Sequence, residues 1–122
     1  MTTDFATYVA QQDARNEIQV NVTKYTLMLC DALELDFKSN HSNSDPYKFS
    51  IESGRKYHKI IQETGYGNRS VHAFVDKKTG EVYKPASFKA PAKHVRFNLL
   101  LIKDREWLFE NADWAGGYLY IR

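Results

Sequence analysis

Residues 70 to 84 read SVHAFVDKKTGEVYK, and this stretch constrains the fold more than any other. SVHAFVD alternates apolar and polar-or-aromatic positions at the period of a strand, predicting Val71, Ala73 and Val75 on one side and His72 and Phe74 on the other. DKKTG then places Gly80 where a three-to-five-residue hairpin loop wants a positive φ, and EVYK returns as the partner strand. A chain with this hairpin needs an antiparallel sheet, and a sheet needs an apolar layer against one face.

The first third supplies that layer. Ile18, Val22, Tyr25, Leu29 and Leu33 recur at helical spacing, with a shorter stripe at Phe5, Tyr8 and Val9 that is interrupted at Gln12. TTD at residues 2 to 4 offers an N-cap. IQVNVT, residues 18 to 23, is β-branched and alternating, which suits a strand; the stripe continues to Leu33, which favours helix. KSNHSNSDPY, residues 38 to 47, is turn material and ends the helical part as a loop inside one domain. KFSIES (48 to 53) and KYHKIIQET (56 to 64) flank Gly54 as one bent strand or two strands with a tight connection, and GYGN (65 to 68) is a turn.

Pro85 and Pro91 predict an extended or irregular segment over 85 to 93. HVRFNLLLI (94 to 102) suits a buried strand or a short helix. Asp104 suits the cap of a helix near 104 to 113, with Trp107, Leu108 and Ala112 on its apolar side. Gly116 and Gly117 would stop that helix, and YLYIR closes the chain as a strand-like end. The expected fold is α+β over a single domain, 1 to 122: an N-terminal helix, or a broken helix pair, packed on an antiparallel sheet of about four strands.

Charge narrows the function. The formal net charge of +2 hides a segregation: residues 1 to 46 and 97 to 122 are net acidic, whereas residues 47 to 96 hold eleven Lys or Arg against four Asp or Glu. Aromatics interleave with those cations, as single-stranded nucleic acid requires, because ammonium groups track phosphates while rings accept stacked bases. The candidate nucleic-acid-binding residues are Lys56, Tyr57, Lys59, Tyr83, Lys84, Phe88, Lys89 and Lys93. The same alternation also describes any half-buried strand with rings inward and ammonium groups in water.

Other chemistries find little footing. A single cysteine, Cys30, sits among Leu27, Met28, Leu29 and Leu33, where a buried, unreactive thiol is expected. The four histidines show no metal-ligand spacing, and no nucleophile elbow or phosphate loop is present, so no cofactor, metal or catalytic residue is assigned. One enzymatic alternative pairs His58 with His72 and a carboxylate, Glu63 or Asp76, across neighbouring strands. Ahead of that enzymatic reading stands an alternative in which the chain is an oligomeric interaction or assembly protein through Trp107, Phe109, Trp114, Tyr118 and Tyr120. Neither a signal peptide nor a membrane-spanning run is present, so a cytoplasmic protein without a membrane partner is expected.

The segment VHAFVDKKTGEVYKPASFKAPAK, with VRFNLL and ADWAGGYLYIR, resembles a group of small proteins of tailed bacteriophages and marine viral sequences, over about residues 54 to 122. The resemblance implies a viral gene product acting in a host cytoplasm or a virion. That group has no known activity, so it implies no catalytic or binding residue.

Overall fold

A computed structural model describes residues 4–41, 43 and 45–120. The chain folds as α+β, with α1 (Phe5–Asn40), β1 (Lys48–Ser53), β2 (Tyr57–Glu63), β3 (Arg69–Asp76), β4 (Glu81–Tyr83), β5 (Phe97–Asn98), α2 (Ile102–Asn111) and a closing 3-10 turn (Gly117–Tyr120). Five strands, one more than expected, run antiparallel in the order β1-β2-β3-β4-β5, so each strand pairs with its neighbour in sequence.

α1 is one continuous helix rather than a broken pair. Asp4 caps it, accepting from the Thr7 N–H at 2.8 Å; Thr2 and Thr3 of the expected cap lie outside the described residues. The β-branched run at 18 to 23 is helical because its side chains are satisfied there. Val22 is buried in the core, and the Thr23 hydroxyl donates to the Gln19 carbonyl, as Thr26 does to Val22. Packing outweighs the modest β preference of these residues. Val22, Thr26, Leu29, Cys30, Leu33 and Phe37 form the buried face. Each fully buried leucine there contributes about 2 kcal/mol. Phe5, Tyr8 and Val9 are exposed instead, since the first turns of α1 extend beyond the sheet.

The helices cover one side of the sheet. Ile60, Ala73, Val75 and Val82 meet Leu29, Leu33 and Leu108 in one apolar cluster. β1 lies at an edge, and Glu34 of α1 accepts its Phe49 N–H at 2.9 Å, occupying a donor that would otherwise invite another strand. The β3–β4 hairpin forms as the sequence predicts, with Gly80 at φ +77. A Cβ there would lie 2.9 Å from Leu100 Cγ, so space as well as φ requires glycine.

The alternation expected in β3 is broken. Ile60 pairs with Ala73 but Ile61 pairs with Val71, so His72 is the extra residue of a β-bulge. The bulge turns His72 to the core side, against Phe49 and Tyr118, while Phe74 remains on the other side against Tyr57.

The C-terminal third departs further. Only Phe97 and Asn98 of HVRFNLLLI pair as a strand, because the chain leaves the sheet at Leu99 to turn into α2. Asp104 does not cap α2; Leu101 holds that position and the Asp104 carboxylate accepts the Asn98 N–H at 2.8 Å, tying the helix back to β5. α2 stops at Asn111, before the glycines, with Ala112 as its cap. The expected terminal strand is a 3-10 turn whose Tyr118 and Leu119 are buried; Ile121 and Arg122 lie outside the described residues. Residues 85 to 93 are irregular as expected, a small excursion closed by a bridge between Pro85 and Pro91.

Candidate nucleic-acid interface

The period of two along β2, β3 and β4 puts Tyr57, Lys59, Phe74 and Tyr83 on the sheet face opposite the helices, in lateral register: Lys59 opposes Phe74, and Phe74 opposes Tyr83. Tyr57 meets Phe74 and Tyr83 edge-on, with ring centroids 5.7 and 6.0 Å apart. Phe74 is almost wholly buried, whereas Tyr57 and Tyr83 are half-buried. The Pro85–Pro91 excursion brings the exposed Phe88 over the same face, where the Lys59 ammonium lies 4.7 Å from its ring centroid. Lys56 stands 5.3 Å over Tyr57.

Five of the sequence candidates, Lys56, Tyr57, Lys59, Tyr83 and Phe88, therefore come together. Lys84 turns instead to Tyr120, 4.4 Å from its ring centroid. Lys89 and Lys93 are exposed in the irregular segment from 85 to 93.

Charge on the sheet face itself is largely balanced. Glu52 stands opposite Lys59 and pairs with Arg69 at 2.9 Å, and Glu81 accepts from the Tyr83 hydroxyl at 3.3 Å. Together with burial, that carboxylate pushes the Tyr83 phenol upward in pKa, so it stays a neutral ring with a hydroxyl.

Unbalanced cations gather at one end of the sheet. A meander brings alternate turns to the same end, so the β1–β2 turn, with Arg55 and Lys56, meets the β3–β4 turn, with Lys77 and Lys78. The Lys77 N–H donates to the Lys56 carbonyl at 3.0 Å and its ammonium to the Gly54 carbonyl at 3.1 Å. A cleft of about 430 Å³ lies between these turns, and a neighbouring one of about 490 Å³ is walled by Lys78 and, from α1, Arg15. The carboxylate here, Asp76, is buried and turned to the Lys78 and Thr79 amides at 2.8 and 3.2 Å.

Arg15, Arg55, Lys77 and Lys78 were not singled out in the sequence. The cation pairs in GRK and DKK were visible there, but only the meander makes them neighbours; nothing local to Arg15 links it to them.

His58 and His72 serve separate networks. His58 Nε2 lies 3.0 Å from the Thr23 hydroxyl and Nδ1 2.7 Å from that of Ser53, and burial beside Lys77 lowers its pKa. His72 Nε2 lies 2.8 Å from the Tyr118 hydroxyl, and burial lowers its pKa to about 4. Neither Glu63 nor Asp76 hydrogen-bonds to either ring among the described residues. Cys30 is buried as expected, its thiol pushed up to about 12 by burial first and then by Asp31 and Glu34.

Of the C-terminal aromatics, Tyr118 is in the core and Trp114 packs edge-on against Phe37, His41 and Tyr47. Trp107 stacks on Phe97. Tyr120 is exposed beneath Lys84. A third cavity, about 590 Å³, opens beside Trp114 and His41, and the His41 Nδ1 atom is buried without a hydrogen-bond partner among the described residues. Among the described residues no group of three or more His, Cys, Asp or Glu could hold a metal ion, and no helix is long and apolar enough to cross a membrane.

No curated protein and no solved structure matches this chain. A family model does, and it takes in the helix, the sheet face and the cationic turns alike. The chain belongs to the family of unknown function DUF7717, whose model matches residues 5–121.

Proposed function

We propose that this is a non-enzymatic phage accessory protein of the host cytoplasm that binds single-stranded nucleic acid on the open face of its sheet. The observation that supports the reading most is the convergence of Lys56, Tyr57, Lys59, Tyr83 and Phe88 on one face, with Lys56 shared between that face and the cationic turns. The balanced charge on the face and the unbalanced charge at its end divide the labour. Bases stack on Tyr57, Tyr83 and Phe88, while the strand's phosphates follow Arg55, Lys56, Lys77 and Lys78, together with Lys89 and Lys93 of the irregular segment.

Fluorescence anisotropy with a labelled single-stranded oligonucleotide tests this, in DNA and RNA forms, at low and near-physiological salt. Binding should weaken with salt at a log–log slope of about −0.7 per phosphate engaged. The exposed ring gives the cleanest substitution: Phe88→Ala should cost about 1 to 3 kcal/mol at every salt concentration. Lys77→Glu with Lys78→Glu should instead flatten the salt slope. Absence of binding at low salt would sink the proposal.

A further inference from the structure

The side of α1 turned away from the sheet carries a pattern that the core does not use. At a spacing of three or four residues it presents Glu17, Val20, Lys24, Leu27 with Met28, Asp31, Leu35 and Lys38, every one of them exposed. Val20 and Leu35 are each 65% accessible, and Leu27 and Met28 are 49% and 43%. These positions lie across the helix from Val22, Leu29 and Leu33, so neither the sheet nor the core accounts for the apolar members. An aliphatic level about every seven residues along an exposed helix, with a charged level between each, is apolar surface left for a partner helix whose register the charges set.

The charges say what the partner is. Laid against a second copy of itself running the opposite way, with the two-fold axis between Leu27 and Met28, the seam matches at each level. Val20 meets Leu35, Leu27 meets Met28, Lys24 meets Asp31 and Glu17 meets Lys38. The two-fold repeats each contact, so the one stripe supplies four opposite-charge pairs around an apolar centre, over about 32 Å of helix. A parallel pairing would set Lys24 against Lys24 and Asp31 against Asp31, and so is rejected by the same residues. We infer that the chain forms an isologous antiparallel dimer through this face of α1. The two sheets then lie on the outside of the dimer, with their open faces pointing away from each other.

Sedimentation velocity of the full chain over a wide concentration range, without nucleic acid, tests this independently of any ligand. The wild type should pass from monomer to dimer with rising concentration. Lys24→Asp alone, and Asp31→Lys alone, each turn two attractive pairs repulsive and should weaken the dimer by about tenfold. Combining them restores opposite charges at the same level and should restore the wild-type dimer. All these positions are exposed, and circular dichroism would verify that the helix is intact in each variant. A chain that stays monomeric throughout, a dimer indifferent to both single reversals, or a double variant no better than the singles would each overturn the inference.

Discussion

His72 shows what one residue's displacement can do. As an ordinary member of β3 it would stand beside Phe74 in the open; as the bulged residue it sits 6% exposed, in edge contact with Phe49 and hydrogen-bonded to Tyr118. Burial holds both partners neutral, lowering the imidazole to about 4 and raising the Tyr118 phenol well above its usual range. A histidine with a depressed folded pKa favours the folded state while neutral. Its contribution is complete above the unfolded value near 6.5 and is lost as pH falls toward the folded value of about 4. His58, lowered by burial and by Lys77, adds to the loss in the same direction. Stability measured by urea denaturation should therefore fall between about pH 6.5 and pH 4 by up to about 3 kcal/mol for His72. His72→Gln, which can still reach Tyr118 without acquiring charge, should flatten that dependence. An unchanged pH profile in the variant would show that His72 does not control it.

At the scale of elements, α1 is two different helices in one. From Val22 to Phe37 it is held by buried side chains, whereas from Phe5 to Asn16 it is exposed apart from a half-buried Gln12. A helix without tertiary contacts has little stability of its own. Amide hydrogen exchange should accordingly show the amides of about residues 9 to 16 exchanging much faster than those of 26 to 37, and uniform protection along α1 would contradict this. The same contrast explains what was legible beforehand. The stripe from Val22 to Leu33 and the Gly80 hairpin follow from local spacing and backbone chemistry, and both were readable. Tyr57, Lys59 and Tyr83 were visible as candidates, but their alignment on one face needed the strand register. The bulge at His72 answers to neighbours distant in sequence, Phe49 and Tyr118, so no local pattern announced it. The cationic end of the sheet is of that second kind, assembled from two turns and a helix.

For the whole molecule, a net charge of only +2 means that no long-range field draws an anionic polymer in; attraction must come from the local concentration of Arg15, Arg55, Lys56, Lys77 and Lys78. At physiological salt such a cluster acts over about 8 Å, so on the proposed nucleic-acid reading one protomer would grip only a short stretch of strand. Dimerisation through α1 changes the outcome, because it places two such faces back to back with the helices between them. Two faces pointing apart cannot share one short oligonucleotide, but they can hold two at once. If both the nucleic-acid reading and the dimer hold, the wild type should bring together two short single strands carrying donor and acceptor dyes. Lys24→Asp, remote from the sheet face, should shift energy transfer to about tenfold higher protein concentration while leaving anisotropy binding of either strand unchanged. On strands long enough to loop between the faces the wild type should also bind more tightly than this variant, by an effective-concentration advantage of about 10². An energy-transfer titration unshifted in Lys24→Asp would place the second strand on the same protomer, and loss of simple binding would place Lys24 within the nucleic-acid surface.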